Sequence, residues 1–210
     1  MKIYDISIPL DAEVAAWPGD APYEQHWTMT RSAGAAVNVS QVRLSVHTGT
    51  HTDAPYHFTD AGMTVDKLSL EPYFGSARVV DMRGRARIGR RDLEAIELSG
   101  TPRILFRTDA WLDHRRFPDT IPVMDADVPA LLAERGVILI GVDVPSVDVL
   151  TSKDLPIHHS LGEHGIRILE SLVLSGVPAG VYQLIALPLY LRGADGAPVR
   201  AILCEAALAP

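Results

Sequence analysis

The stretch Val137-Ile138-Leu139-Ile140-Gly141-Val142 is an almost unbroken apolar run. It has no polar alternation that would give it a solvent face, so it reads as a strand buried on both sides. Such a strand needs cover above and below. Further strand-like segments lie at residues 3–10, 23–30, 37–46, 77–82 and 103–108, and the tail reads as strand, loop and strand over 180–188 and 193–200. Helical patterns are fewer. One spans residues 93–98 and stops at Gly100. A second spans 125–134, with Pro129 near its first turn and Gly136 after its end. A third runs from about 163 to 174, with Gly176 as its stop. At 210 residues the chain suits one domain, residues 1–210, with a substantial core.

Composition narrows the function. The chain is 47% hydrophobic and 21% charged, as expected of a soluble globular protein. Its net charge of -7, with no basic run to offset it, argues against a nucleic-acid surface. Arg83, Arg85, Arg87, Arg90 and Arg91 form a local positive patch that reads as a solvated face. The lone Cys204 excludes an internal disulfide and reads as a small buried hydrophobe, which fits a reducing cytoplasm. The first residues lack the apolar core of a signal peptide, and no apolar run is long enough to span a membrane.

The chemistry concentrates in His47-Thr48-Gly49-Thr50-His51-Thr52-Asp53-Ala54-Pro55-Tyr56-His57. A solvated loop would account for one such histidine. Three histidines and an aspartate around one glycine are the donors a zinc-like ion takes. Val42, Leu44 and Val46 alternate with polar residues, so a strand is expected to lead into the run. His47, Gly49, His51 and Asp53 would then start on one face. A straight strand would hold His47 and His51 about 13 Å apart, too far for two ligands that each bond at about 2 Å. The chain must therefore bend, and Gly49 is the residue placed to allow it. His57 lies beyond Pro55, near this point but not necessarily on a metal. A second cluster follows at His158-His159 and Glu170. In a helix Glu170 would neighbour Ile166, Arg167, Val173 and Leu174. Its carboxylate then needs a partner, either Arg167 or a metal, and the residues alone leave both open.

The first run resembles the H-x-G-T-H-x-D-x-P-x-H signature of the metal-dependent cyclase family, which includes the bacterial kynurenine formamidases (arylformamidases) and the isatin hydrolases. The likeness runs almost from end to end, with its specific motifs at Trp17, at 47–57 and at 158–170. It implies a compact α/β domain of the swivelling β/β/α type, a barrel-like mixed or antiparallel sheet flanked by helices. It also implies two divalent ions per subunit, zinc with manganese as the alternative. The ligands would be His47, His51, Asp53, His158 and Glu170, with Asp53 and Glu170 bridging and His159 the competitor of His158. His57 would be the catalytic acid and base, and Trp17 would bind substrate by packing on its aryl ring. Ser146, in the loop after residue 142, is a weaker candidate for a substrate contact. The implied reaction is hydrolysis of N-formyl-L-kynurenine to L-kynurenine and formate in tryptophan degradation, carried out by a cytoplasmic homodimer. A cyclic amide such as isatin is the alternative substrate. A serine hydrolase is disfavoured because no G-x-S-x-G elbow is present, and Ser76 and Ser146 lack that context.

Overall fold

The computed structural model describes residues 1–205. Its strands are β1 (Ile3–Asp5), β2 (Glu24–Met29), β3 (Val39–Arg43), β4 (His51–Asp53), β5 (Phe74–Asp81), β6 (Arg87–Ile88) and β7 (Arg103–Arg107), then β8 (Val123–Met124), β9 (Leu139–Val142), β10 (Arg167–Glu170), β11 (Gly180–Ile185), β12 (Gly196–Pro198) and β13 (Ile202–Glu205). The α-helices are α1 (Arg90–Glu94), α2 (Val128–Glu134) and α3 (Pro156–Glu163).

Nine strands form one mixed sheet in the order β1-β13-β11-β5-β7-β9-β10-β4-β12. The inner pairs β5–β7, β7–β9 and β9–β10 are parallel, and the outer pairs are antiparallel. The apolar run at 137–142 supplies β9, and all four of its residues are buried. Alternation sends the two faces of the central strands to different cores. Ile104, Phe106, Ile140 and Val142 pack with Leu131 and Leu132 of α2 and Ile157 and Leu161 of α3. Leu105, Leu139 and Leu169 pack instead with Tyr73, Leu184, Ala197 and Leu203.

Connectivity forces the sheet to curl. β12 lies at one edge and β13 next to the other, yet only residues 199–201 join them. Seven strand spacings in a flat sheet would separate them by about 33 Å, whereas the connection reaches about 14 Å at most. The second core, which takes residues from both edges, is the interior of this half-barrel. An isolated bridge between Ser7 and Leu172 and the bond from the Val173 amide to the Ile6 carbonyl tie the chain after the edge strand β1 to the segment after β10, on the far side of the sheet.

Several expected boundaries are corrected. The strand expected over 37–46 ends at Arg43, because Ser45 starts a turn in which its carbonyl accepts from the Thr48 amide. The segment 3–10 keeps only β1 and the Ser7 bridge as strand. The helix expected over 93–98 is instead α1, which ends at Glu94. The largest correction concerns 163–174. The helix lies earlier, at α3, and residues 167–170 are β10, between β9 and β4. Ile168 and Leu169 bury into opposite cores, so an apolar stretch that mimicked a helix is a strand covered on both faces.

Candidate metal centre and its pocket

β4 carries His51 and Asp53 on one face, with Thr52 pointing the other way to donate to the Ile168 carbonyl (2.7 Å). The antiparallel register sets Glu170 of β10 directly opposite His51. His47 arrives from the turn before β4. Gly49 has φ +67°, and a Cβ there would lie 2.6 Å from Leu10 Cδ2, so the bend requires glycine. His158 comes from the first turn of α3. Asp148 fixes it by accepting from the Ile157 amide (3.1 Å), the His158 amide (3.0 Å) and His158 Nδ1 (2.7 Å). Two non-glycine residues adjoin these side chains with left-handed backbone, Leu155 (φ 42°) before α3 and Ser171 (φ 59°) after Glu170. Such strain gathers where surrounding structure holds functional groups in place.

Five side chains meet at one point. Asp53 Oδ1 lies 3.1 Å from His47 Nδ1 and 3.4 Å from His51 Nε2, while its Oδ2 lies 3.4 Å from His158 Nε2. Glu170 spans the same gap, with Oε2 3.5 Å from His51 Nε2 and Oε1 3.5 Å from His158 Nε2. Oε1 also accepts from the Val147 amide (2.9 Å). These groups form two sets, His47–His51–Asp53 and Asp53–His158–Glu170, with Asp53 in both. The structure brings these five side chains together, and His158 rather than His159 faces the cluster; His159 is exposed and packs by Phe58. Arg167 is not the partner of Glu170, because on a strand it falls on the other face.

The donor set fits divalent ions. Asp53 is 3% exposed, yet neither of its oxygens nor His51 Nε2 has a hydrogen-bond partner. Leaving such groups unsatisfied is costly. Ligands at bond lengths near 2 Å around one tetrahedral ion stand about 3.3 Å apart, which matches the separations here. The unbonded ring nitrogens are also aimed by their far sides, since His51 Nδ1 donates to the Gly49 carbonyl (2.8 Å) and His158 Nδ1 to Asp148.

Electrostatics reinforce this. Burial disfavours charge on His47, but Asp195 and Asp53 override it and raise its pKa to about 9. Burial is likewise outweighed at His51 by Asp53 and Glu170, which raise it to about 10. His158 is held well above its ordinary value by Asp148, Asp53 and Glu170 against its own desolvation. Asp53 is pulled well below the usual carboxylate range despite burial by His158, His47 and His51. Protons and a metal ion thus compete for the same nitrogens.

Sequence reasoning missed Asp195. Its Oδ2 accepts from His47 Nε2 (2.9 Å) and lies 3.4 Å from His57 Nδ1. The two histidine rings lie 4.0 Å apart between centroids. His57 sits outside the five-residue cluster, with its side chain 32% exposed at the pocket mouth. Asp195 precedes Gly196, where a Cβ would press within 2.9 Å of His47 Cε1, so the Asp-Gly pair also shapes the site.

Above the cluster opens a pocket of about 490 Å³. Its floor includes His47, His51, His158 and Glu170. Its walls include Trp17, Trp111 and Phe117. Trp17 and Phe117 meet edge to face at 5.0 Å, and the Trp111 indole donates to the Arg116 carbonyl (2.8 Å). Ser146 lines the pocket too, and its hydroxyl accepts from the Asp148 amide (3.1 Å).

The sequence profile of the putative cyclase family matches residues 4–149. A kynurenine formamidase of Bacillus mycoides (strain KBAB4) is 48% identical over 199 residues, 95% of this chain and 95% of its own. A solved structure described as a predicted metal-dependent hydrolase from Bacillus stearothermophilus superimposes with a TM-score of 0.81 at 28% identity, over 96% of this chain and 97% of that one. Isatin hydrolase A from Labrenzia aggregata reaches a TM-score of 0.84 over 98% of this chain and 94% of that one, but at 23% identity the likeness is one of fold alone.

Proposed function

The chain belongs to the putative cyclase family, and from that premise we propose that it is an arylformamidase that hydrolyses N-formyl-L-kynurenine to L-kynurenine and formate. The observation that carries the proposal is the doubly orphaned, buried carboxylate of Asp53 between three histidines, at the floor of an aromatic-walled pocket. A metal-dependent hydrolase needs such a floor, and an aryl formamide suits such walls. The kynurenine formamidase relative shares nearly half of its residues over almost the whole length.

His47, His51, Asp53, His158 and Glu170 would hold two divalent ions, zinc in this reading. Asp53 and Glu170 each turn one oxygen toward His51 and the other toward His158, so both carboxylates would help to hold the ions. When bound, such ions supply Lewis acidity toward the scissile carbonyl and lower the pKa of water at the site. The rest falls to the side chains. Trp17, with Trp111 and Phe117 behind it, takes the aryl ring and places the formamide over the cluster. Asp195 accepts from His57 Nδ1, which leaves Nε2 to receive a proton from the attacking water. As the carbon–nitrogen bond breaks, the same Nε2 returns that proton to the aniline nitrogen, so formate and the free amine leave in balance. The reading also includes a cytoplasmic homodimer. Among the described residues no helix is long and apolar enough to cross a membrane.

Parallel assays of the metal-loaded protein with N-formylkynurenine and with isatin test the substrate. The reading expects kcat/KM for the formamide to exceed that for isatin by orders of magnitude. Preference for isatin would move the protein to the other branch of the family.

A further inference from the structure

The walls of the pocket are selective in charge as well as aromatic. Apart from the histidines and Glu170, Asp20 is the one ionisable side chain among the described residues that line it, and no Lys or Arg joins them. The other polar side chains of the lining are the hydroxyls of Ser146, Ser152 and Ser171. A pocket of this composition has an anionic point on its wall and no cation to match it.

The local chain ties Asp20 to Trp17. The Asp20 amide donates to the Trp17 carbonyl (2.9 Å). Pro18 and Gly19 stand between them, and Gly19 has φ +91°, as a type II turn requires of its third residue. Such a turn holds the α-carbons of its first and last residues within about 7 Å. The aromatic ring and the carboxylate therefore reach one pocket wall from the two ends of a single turn. Asp20 Oδ1 accepts from the Ala21 amide (2.7 Å), which steadies the carboxylate. Its Oδ2 has no hydrogen bond or ion pair among the described residues. An ionised acceptor held in this way is suited to a cationic donor brought by a ligand.

We propose that Asp20 is a specificity-determining residue, accepting a hydrogen bond from the α-ammonium of the substrate while Trp17 packs on its aryl ring. The inference rests on the proposed function and deepens it. In N-formylkynurenine the ammonium nitrogen lies four bonds from the ring, an extended reach of about 5 Å, which is the scale of the turn that separates Trp17 from Asp20. The turn thus measures the distance from ring to ammonium while the formamide lies over the floor. The lining offers the substrate's carboxylate no cation, so the ammonium is the group that is read. Aryl formamides with an amino-acid tail are selected over those without one, and over isatin, which carries no ammonium.

The test compares kcat/KM of the metal-loaded full chain for N-formyl-L-kynurenine and for its desamino analogue, 4-(2-formamidophenyl)-4-oxobutanoate, which lacks only the ammonium. The wild type should prefer the amino substrate by about tenfold or more. Asp20→Asn should collapse that ratio toward one, and Asp20→Glu, which keeps the charge, should retain most of it. The ratio is the readout that a merely structural role would not move. Equal efficiency toward the two formamides in the wild type would overturn this inference and leave the proposed function standing. A wild-type ratio preserved in Asp20→Asn would do the same. Turnover of neither formamide would defeat the proposed function itself, and this inference with it.

Discussion

His47 reaches the cluster through Nδ1, His51 and His158 through Nε2, and each orientation is set from the far side of the ring. The Gly49 carbonyl holds His51, Asp148 holds His158 and Asp195 holds His47. Asp148→Ala should therefore weaken metal binding about 10- to 100-fold in a chelator competition while all five cluster residues remain. His57→Ala should keep its metal and lose about 10² to 10⁴ in kcat; metal loss in that variant would make His57 a ligand instead. His47, His51 and Asp53 were legible because their spacing around Gly49 and their side-chain chemistry coincide, whereas His158 and Glu170 were named as ligands only through the family resemblance. Asp148 and Asp195 were not legible, because an aspartate in a loop with a proline or glycine nearby is ordinary turn chemistry and only tertiary contact distinguishes the exceptions. The choice of His158 over His159 is likewise a matter of helix phase, since neighbours on a helix point about 100° apart.

Among the elements, β10 shows why part of the chain misleads. Ile166, Ile168, Leu169, Leu172 and Leu174 are apolar often enough to imitate a helical stripe, yet they serve two cores on either side of a strand. Periodicity alone does not separate the two cases in a run this short. The alternatives differ in their consequences. In a helix Arg167 would be near enough to pair with Glu170, whereas on β10 it lies on the opposite face. Arg167→Ala should thus leave the metal content per chain unchanged, and Glu170→Gln should lower it, as elemental analysis after gel filtration would show. Leu169 is fully buried in the inner core beside Glu170, so Leu169→Ala should cost about 2–5 kcal/mol in urea unfolding. β9, by contrast, was legible from its sequence because a continuous apolar run leaves a strand with no solvent face to assign.

For the whole molecule, the mixed half-barrel was expected only from resemblance, because strand order depends on pairings far apart in sequence. What closes the curl is the three-residue link between β12 and β13, a feature with no local signature. The cluster at its rim couples stability to pH. In metal-stripped protein, histidines raised to about 9 and about 10 contribute stability that is complete below about pH 6.5 and is lost as pH rises through those values. The melting temperature of the stripped protein should therefore fall on going from neutral to alkaline pH. The increment from added zinc should move the other way and grow from about pH 6 to 8, because binding displaces those protons. Thermal scans across pH, with and without metal, check both signs. The most direct measurement strips the purified protein with a chelator, restores zinc or manganese, and follows N-formylkynurenine hydrolysis against metal bound per chain. The account predicts that turnover disappears with the metal and returns as two ions per chain are restored. Hydrolysis that persists after complete removal would contradict it.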